Sequence, residues 1–275
     1  MDDARLAAVA DRLVSVPGMV GVVLGGSRAR GTHTPDSDYD LGLYYRGDLD
    51  TDRLGELARA TAGPTARVTA RGEWGPWVDG GGWLTIDGSA VDWIYRDVDR
   101  VRTAWQDAER GHYRFHAQNG HPLGVPDFAY AGELALSRVL ADPSGELTAL
   151  RERTLVFPDA LARALIEGLW EADFLVTIAR KGVQHGDAAY VAGCLFRLAG
   201  ICAHALHGAA RRWLINEKGA VAAAAALAPA PPRFAARVDS IFAAVDGDPA
   251  HLALALDLAT DLVLATADAC AMMAA

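Results

Sequence analysis

The sequence predicts an α+β fold, with an N-terminal mixed-sheet unit followed by an all-α helical bundle. Short apolar runs that alternate or are bounded by glycine dominate up to about residue 125, interspersed with helical patterns, and this mixture is typical of a small α/β unit. Beyond about residue 130 the apolar spacing is helical throughout, which favours a bundle. We therefore place a mixed-sheet domain at 1–125 and a helical domain at 126–275.

The elements of the first domain follow from local pattern. Residues 2–16 carry apolar side chains on one helical face and end at Pro17-Gly18, so they predict a helix. A second helix is expected over 51–62 and a third over 97–111, where Asp97 is a suitable N-cap. Alternating or buried apolar runs bounded by turn residues predict strands in the segments MVGVVLGG (19–26), YDLGLYY (39–45), ARVTARG (66–72), GWLTIDG (82–88) and AVDWIYR (90–96).

The second domain is expected to be helical. Between the two domains, residues 111–124 (GHYRFHAQNGHPLG) are aromatic, polar and bounded by glycine. We expect them to form a loop, either an ordinary linker or one that lines a cleft. The roles of His112, His116 and His121 in it stay open. Helical spacing is present over 132–141, 146–154, 158–180, 187–207, 233–245 and 249–272.

Composition restricts the partners. The 275 residues carry a formal net charge of −9, with a pI of about 5.3. Proteins that bind duplex nucleic acid usually present a basic field, because neutralised phosphates supply most of the affinity. The longest basic run here is Arg211-Arg212. A polynucleotide as the main partner is therefore disfavoured.

The cysteines and the termini predict a cytoplasmic location. Cys194, Cys202 and Cys270 are odd in number and lie in alanine-rich helical segments, which suits reduced thiols better than disulfides. The N-terminus has acids where a signal peptide needs basic residues. The apolar segment 252–275 carries three aspartates at helical spacing, so we expect an amphipathic helix and not a membrane span.

The most informative stretch is LGGSRARGTHTPDSDYDLGLYY, residues 24–45. Asp38 and Asp40 project to the same side of a strand, because side chains alternate. Two carboxylates that close raise each other's pKa unless a cation lies between them, and Mg²⁺ is the cation usually held by one or two carboxylates together with substrate phosphates. Upstream, Gly25-Gly26-Ser27 offers close backbone approach, free N–H groups and a hydroxyl, which suit a phosphate.

The pattern GGSRARG followed by SDYDLGLYY resembles the nucleotidyltransferases of the DNA polymerase beta superfamily. The resemblance covers roughly residues 18–96. That family needs a third carboxylate on a later strand, and AVDWIYR supplies Asp92. Asp87 is a weaker rival, because it precedes Gly88 in a predicted turn.

The resemblance implies the chemistry. Two Mg²⁺ ions, held by Asp38, Asp40 and Asp92, would bridge the phosphates of a nucleoside triphosphate while a hydroxyl attacks the α-phosphate. Asp92 would also act as the general base. Gly26, Ser27 and Arg30 are the candidate triphosphate-binding residues of this domain. We expect ATP as the co-substrate and AMP as the transferred group.

A helical domain after such a catalytic unit resembles the aminoglycoside nucleotidyltransferases. This resemblance implies a small hydroxylated acceptor bound in a cleft between the domains. Lys218 is a further candidate triphosphate ligand, since it is one of two lysines in a chain with 26 basic side chains. The competing interpretation of Lys218 is a polar helix end, where a cation is favoured by the helix dipole.

A second functional class stays open. Arg197 and His204 have the R-x6-H spacing that resembles the HEPN ribonuclease motif, although a histidine among Ala, Leu and Cys is more often a core residue. The protein would then be a toxin–antitoxin-type module. Its first domain would adenylylate a protein partner, or its bundle would cut RNA or bind a partner.

Overall fold

In the computed structural model, which describes residues 1–274, a mixed β-sheet is followed by a set of helices, and the predicted α+β class is confirmed. Contacts divide the chain into unit 1, residues 1–107 and 114–156, and unit 2, residues 108–113 together with the chain from Phe157 onward. The predicted boundary after residue 125 falls earlier than this division. Residues 126–156 lie in unit 1 because a strand within them pairs with the sheet.

Unit 1 contains seven strands and six helices. One of these helices begins at residue 98 and continues into the 108–113 segment, which belongs to unit 2. In chain order they are α1 (Asp3–Leu13), β1 (Met19–Leu24), α2 (Gly26–Arg30), β2 (Tyr39–Tyr45), α3 (Thr51–Ala62), β3 (Gly81–Ile86), β4 (Ser89–Asp97), α4 (Val98–Glu109), β5 (Phe115–Gln118), β6 (His121–Pro126), α5 (Ala129–Ala135), β7 (Arg138–Ala141) and α6 (Glu146–Thr154). Asp97 caps α4 as expected, since its side chain accepts hydrogen bonds from the backbone N–H groups of Asp99 and Arg100.

The main sheet has the strand order β3-β4-β2-β1-β7. Strands β2 and β4 are parallel, and the other neighbours are antiparallel. One face is packed against α1 and α3 by a continuous apolar core, to which Leu41 and Leu43 of β2 and Val91 and Trp93 of β4 contribute. The residues between them on each strand therefore point to the other face, because side chains alternate along a strand.

Helix α5 belongs to that second face. Arg96 of β4, which is 7% exposed, forms a two-pronged ion pair with Glu133 of α5, with N–O distances of 2.5 and 2.8 Å. Tyr44 of β2 is buried beside them, and burial raises the pKa of its hydroxyl far above the usual range. Asp40 and Asp92 lie four residues earlier on the same two strands, and both are only half-buried.

Three predictions of local structure in this unit were wrong. Residues 66–72 are not a strand; the backbone N–H of Thr69 donates to the carbonyl of Gly81 at 2.8 Å, and the N–H of Gly81 donates to the Thr69 hydroxyl at 2.9 Å, but no β-ladder forms between the two segments. Residues 111–124 are not a loop throughout, because β5 and β6 form an antiparallel hairpin that begins within them. The helix predicted over 132–141 ends at Ala135, and residues 138–141 become β7, where pairing with β1 outweighs the local helical spacing.

Unit 2 is helical, as predicted. The helix predicted over 158–180 is two helices, which meet at Gly168. A Cβ atom at Gly168 would lie 2.6 Å from the hydroxyl of Tyr113, so the glycine permits this close approach. The helices are α7 (Asp159–Glu167), α8 (Leu169–Val183), α9 (Ala188–Ala209), α10 (Ala220–Ala225), α11 (Phe234–Ala243) and α12 (Pro249–Ala274).

Helix α9 is central in unit 2 and contacts each of the other five helices. Cys194, Cys202 and Cys270 are free and buried in the core of this unit. By length and hydropathy alone, α9 and residues 249–272 of α12 could each cross a membrane, and most of the α9 segment is buried inside the folded chain.

Candidate active site

Three carboxylates meet on the second face of the sheet. Asp40 and Asp92 are register partners on the parallel strands β2 and β4, so their side chains lie side by side on one face. Asp38 precedes β2 by one residue and projects to the same side. One ligand oxygen from each of the three lies within 4.8 Å of the others, and such a group could hold a metal ion.

The electrostatics of this group favour a bound cation. Burial and the neighbouring charges of Asp38 and Asp40 raise the pKa of Asp92 to about 6. A cation between the carboxylates would relieve that repulsion, and oxygen ligands of this kind suit Mg²⁺. The donor set therefore fits the metal that the sequence pattern implies.

The glycine turn before α2 is shaped around Asp40. The backbone N–H of Gly25 donates to the backbone carbonyl of Asp40 at 2.7 Å. Gly26 has a φ of +61°, and a Cβ atom there would lie 1.6 Å from Oδ2 of Asp40. Only glycine fits at that position, because the carboxylate occupies the space of a side chain. Ser27 follows in the first turn of α2 and is half-buried.

Arg28 has a structural role that the sequence did not reveal. Its guanidinium donates to the carbonyls of Ser37 and Asp38, at 3.0 and 3.1 Å from Nε, and lies 3.8 Å from the centroid of the Tyr39 ring. It therefore holds the loop that leads into the aspartates. Arg30 is exposed at the end of α2, and its assignment to the triphosphate stays a prediction.

The turn between β3 and β4 settles the choice between Asp92 and Asp87. Asp87 and Gly88 have φ values of +50° and +77°, typical of the two-residue hairpin turn that joins antiparallel strands. The Asp87 carboxylate forms an exposed ion pair with Arg5 at 2.8 Å. It is therefore Asp92, and not Asp87, that completes the carboxylate group.

The same turn fixes the position of a residue that the sequence interpretation missed. Counting back from the turn, Trp83 of β3 pairs directly with Asp92 of β4. The Asp-Gly dipeptide between two alternating segments is a strong hairpin signal, and it could have revealed this pairing from the sequence.

The histidines of segment 111–124 have separate surroundings. His116 stacks on Trp77, with ring centroids 3.7 Å apart, and its Nε2 lies 3.3 Å from the carboxylate of Asp127. Burial raises the pKa of Asp127 despite this contact. His116 thus anchors the hairpin against the loop around Trp77. His121 begins β6, and His112 lies in the 108–113 segment of unit 2.

Lys218 is exposed in the connection between α9 and α10 of unit 2. It follows α9 by several residues and precedes Gly219, which has a φ of +75°. The alternative interpretation of Lys218 as the end of an α9 helix is therefore wrong. Its assignment to the triphosphate stays a prediction.

Arg197 and His204 do not form an exposed ribonuclease pair. His204 is 2% exposed, and burial lowers its pKa to about 3, so the imidazole is neutral. Arg197 forms an ion pair with Glu171 of α8. His204 is therefore a core residue, as its apolar neighbours in the sequence suggested.

One family model agrees with the sequence pattern of this site. Residues 7–63 match the family model of the nucleotidyltransferase domain. This segment contains the glycine turn and the first two aspartates, and it ends before Asp92. The crystal structure of a nucleotidyltransferase-like protein from Exiguobacterium sibiricum 255-15 is similar at 12% sequence identity, with a TM-score of 0.42, over 95% of this chain and 71% of that chain. No curated protein matches the sequence.

The domain match confirms the prediction that the protein is an enzyme of the nucleotidyltransferase class. This class implies a nucleoside triphosphate as the substrate and a divalent metal as the cofactor. The acceptor, the base and the aminoglycoside subtype stay predictions.

Proposed function

We propose that the protein transfers a nucleoside monophosphate, AMP, from ATP to a hydroxyl group of a small molecule in a Mg²⁺-dependent reaction. The observation that carries this proposal is the convergence of Asp38, Asp40 and Asp92 within 4.8 Å beside a glycine turn. Few reactions use both three converging carboxylates and a glycine turn that can hold a phosphate, and nucleotidyl transfer is one of them.

Each residue has a definite task in the proposed reaction. Asp38, Asp40 and Asp92 would hold two Mg²⁺ ions, which supply the positive charge that stabilises the attacking and leaving oxygens. The backbone of Gly26 and the hydroxyl of Ser27 bind the terminal phosphates. Arg30 contributes positive charge toward the same triphosphate.

Asp92 accepts the proton of the acceptor hydroxyl. In the metal-free protein, burial and the charges of Asp38 and Asp40 raise the pKa of Asp92 to about 6, so this carboxylate is ionised at pH 7.5 and able to accept a proton. Asp92 lies on β4, beside Asp40, at the side of the carboxylate group away from the glycine turn.

The proposal is tested by pyrophosphate release with Mg²⁺, each of the four ribonucleoside triphosphates and a panel of aminoglycosides. We expect the release to require Mg²⁺ and to be fastest with ATP. Asp40→Asn should remove nearly all turnover in a folded protein. Asp36→Asn is the matched control, since Asp36 is exposed in the loop before the carboxylate group and its substitution should leave turnover unchanged.

Near-normal turnover of a folded Asp40→Asn variant would contradict the assignment of the metal ligands. The same assay with ATP labelled in the α-phosphate separates the two classes of acceptor. Label in the small-molecule fraction supports the proposal, whereas label only in protein would favour adenylylation of a protein partner.

A further inference from the structure

Trp83 is an exposed indole next to the carboxylate group. Trp83 is 73% exposed to solvent. In an antiparallel pair, directly opposite residues point to the same face, with Cβ atoms about 5 Å apart. Since Trp83 is paired with Asp92, its indole and the Asp92 carboxylate emerge side by side. A large exposed apolar side chain at this position has no part in the core of unit 1.

A second tryptophan supports this indole. Trp74 stacks on Trp83, with ring centroids 4.5 Å apart and ring planes inclined by 21°. Trp74 also lies against Gly81, where a Cβ atom would be 2.9 Å from its Cζ3. The two indoles, together with Arg67 and Glu73, are among the residues that line a cleft of about 490 Å³ at the edge strand β3.

The loop that carries Trp74 is held in place by the β5–β6 hairpin. Gln118, at the end of β5, is 8% exposed. Its side-chain oxygen accepts hydrogen bonds from the backbone N–H groups of Trp77 and Val78, at 2.9 and 3.1 Å, and its amide nitrogen donates to the carbonyl of Trp74. The stacked pair is therefore positioned before any ligand binds, which lowers the entropic cost of binding.

The order of the elements indicates which reactant meets Trp83. Across the sheet, the glycine turn lies against Asp40, Asp40 is beside Asp92, and Asp92 is beside Trp83. In an in-line displacement, the attacking oxygen enters opposite the leaving group. With the pyrophosphate at Gly26 and Ser27, the hydroxyl enters from the side of Asp92 and Trp83.

We propose that Trp83, backed by Trp74, is the platform on which the acceptor ring stacks; the cationic, hydroxylated acceptor implied by the resemblance to the aminoglycoside nucleotidyltransferases serves as its probe. This inference rests on the proposed function. An ammonium group is attracted to the face of an indole. The platform presents one hydroxyl to Asp92.

The acceptor oxygen forms a bond to the α-phosphorus, and the bond from the α-phosphorus to its bridging oxygen breaks. Pyrophosphate leaves with that electron pair, and the proton of the hydroxyl passes to Asp92. No oxidant or reductant is needed.

The test is the kinetics of Trp83→Ala, with the best substrate of an aminoglycoside panel as the acceptor probe. We expect the KM for the acceptor to rise about 10-fold, the size of a desolvated contact between a cation and an indole. The KM for ATP should stay within about twofold of wild type, because the contact is with the acceptor. Trp83→Phe should recover part of the loss, since it retains an aromatic face.

Trp170→Ala is the matched control, because Trp170 is a similarly exposed indole, at 69%, on α8 of unit 2. It should leave both KM values unchanged. An unchanged acceptor KM in Trp83→Ala would overturn the platform, and so would a rise in the KM for ATP alone, which would assign the indole to the nucleobase.

Failure of the platform can be told apart from failure of the proposed function. If wild-type protein transfers AMP to the probe and Trp83→Ala does so equally well, only the platform is wrong. If ATP binds in a Mg²⁺-dependent way by calorimetry but no aminoglycoside is a substrate, the assigned acceptor class is wrong. If ATP and Mg²⁺ do not bind, both the proposed function and the platform are wrong.

Discussion

Asp92→Asn should make the metal-free protein more stable while it removes activity. In the folded protein the pKa of Asp92 is raised from 3.8 to about 6 by burial and by the charges of Asp38 and Asp40. The folded state therefore holds this proton more tightly than the unfolded state. Ionisation costs stability as the pH rises from 3.8 through about 6, and the whole cost is present above that range. An asparagine is neutral at every pH and therefore avoids this loss of stability.

The size of the effect follows from the two pKa values. A rise from 3.8 to about 6 would correspond to about 3 kcal/mol for a fully buried group, at 1.36 kcal/mol for each tenfold change in proton affinity. Asp92 is only half-buried, so screening by water reduces this to about 1–1.5 kcal/mol. For a unit of this size, that is a rise in Tm of about 4 °C.

The assay is thermal unfolding of both proteins with EDTA at pH 7.5 and at pH 4.5. The variant should unfold at the higher temperature at pH 7.5, and the difference should shrink at pH 4.5, where wild-type Asp92 is protonated. Added Mg²⁺ should raise the Tm of wild type more than that of the variant, because a ligand stabilises the state that binds it. Asp11→Asn, at an exposed position on α1, controls for the loss of one negative charge. A folded Asp92→Asn variant with an unchanged or lower Tm at pH 7.5 would refute the repulsion inferred here.

Two further predictions concern the phosphate end of the site. Gly26→Ala should lower turnover by at least about 100-fold, because its Cβ would collide with the Asp40 carboxylate, and losing one preorganised group at the reacting centre has this magnitude. Gly31→Ala, at a similar φ of +71° but with open space around it, should cost only about 1–2 kcal/mol of stability; equal kinetics of the two variants would argue against the collision. Lys218→Ala should lower turnover or the affinity for ATP by roughly 10- to 1000-fold, the range for one charge-stabilising group, with the fold intact by circular dichroism. Wild-type kinetics of that variant would end the assignment of Lys218.

Local sequence patterns were sufficient to predict most of the helices and strands and part of the candidate site. The alternation in YDLGLYY predicts a strand with Asp40 on the face opposite Leu41 and Leu43, and β2 has this arrangement. The glycine turn could also be recognised from sequence, because a hydroxyl residue after two glycines is a local signal. The family match over residues 7–63 depends on the same segment.

Patterns failed where pairing with a distant strand decided the conformation. Residues 138–141 have apolar residues at spacings that suit a helix or a strand, and the free edge of β1 made them a strand. Residues 66–72 have the composition of a strand, but they meet β3 through isolated contacts only. The hairpin over 115–126 is likewise fixed by tertiary partners, such as the contact of His116 with Trp77.

The sequence by itself determined that Asp38 and Asp40 project to one side and that Gly25-Gly26-Ser27 forms a turn. The Asp-Gly dipeptide before β4 also contained a signal for the pairing of Trp83 with Asp92, which the sequence interpretation did not use. These facts depend on neighbours a few residues apart along the chain, whose geometry is fixed by backbone dihedrals and the period of a strand. Only the tertiary structure decided that Asp92 lies beside Asp40 and that an Asp40 oxygen fills the space above Gly26. Those contacts form when β4 adds to β2 in a parallel register and the glycine turn folds over β2. The energy that selects this arrangement comes from burying the apolar face of the whole sheet, which no local pattern contains.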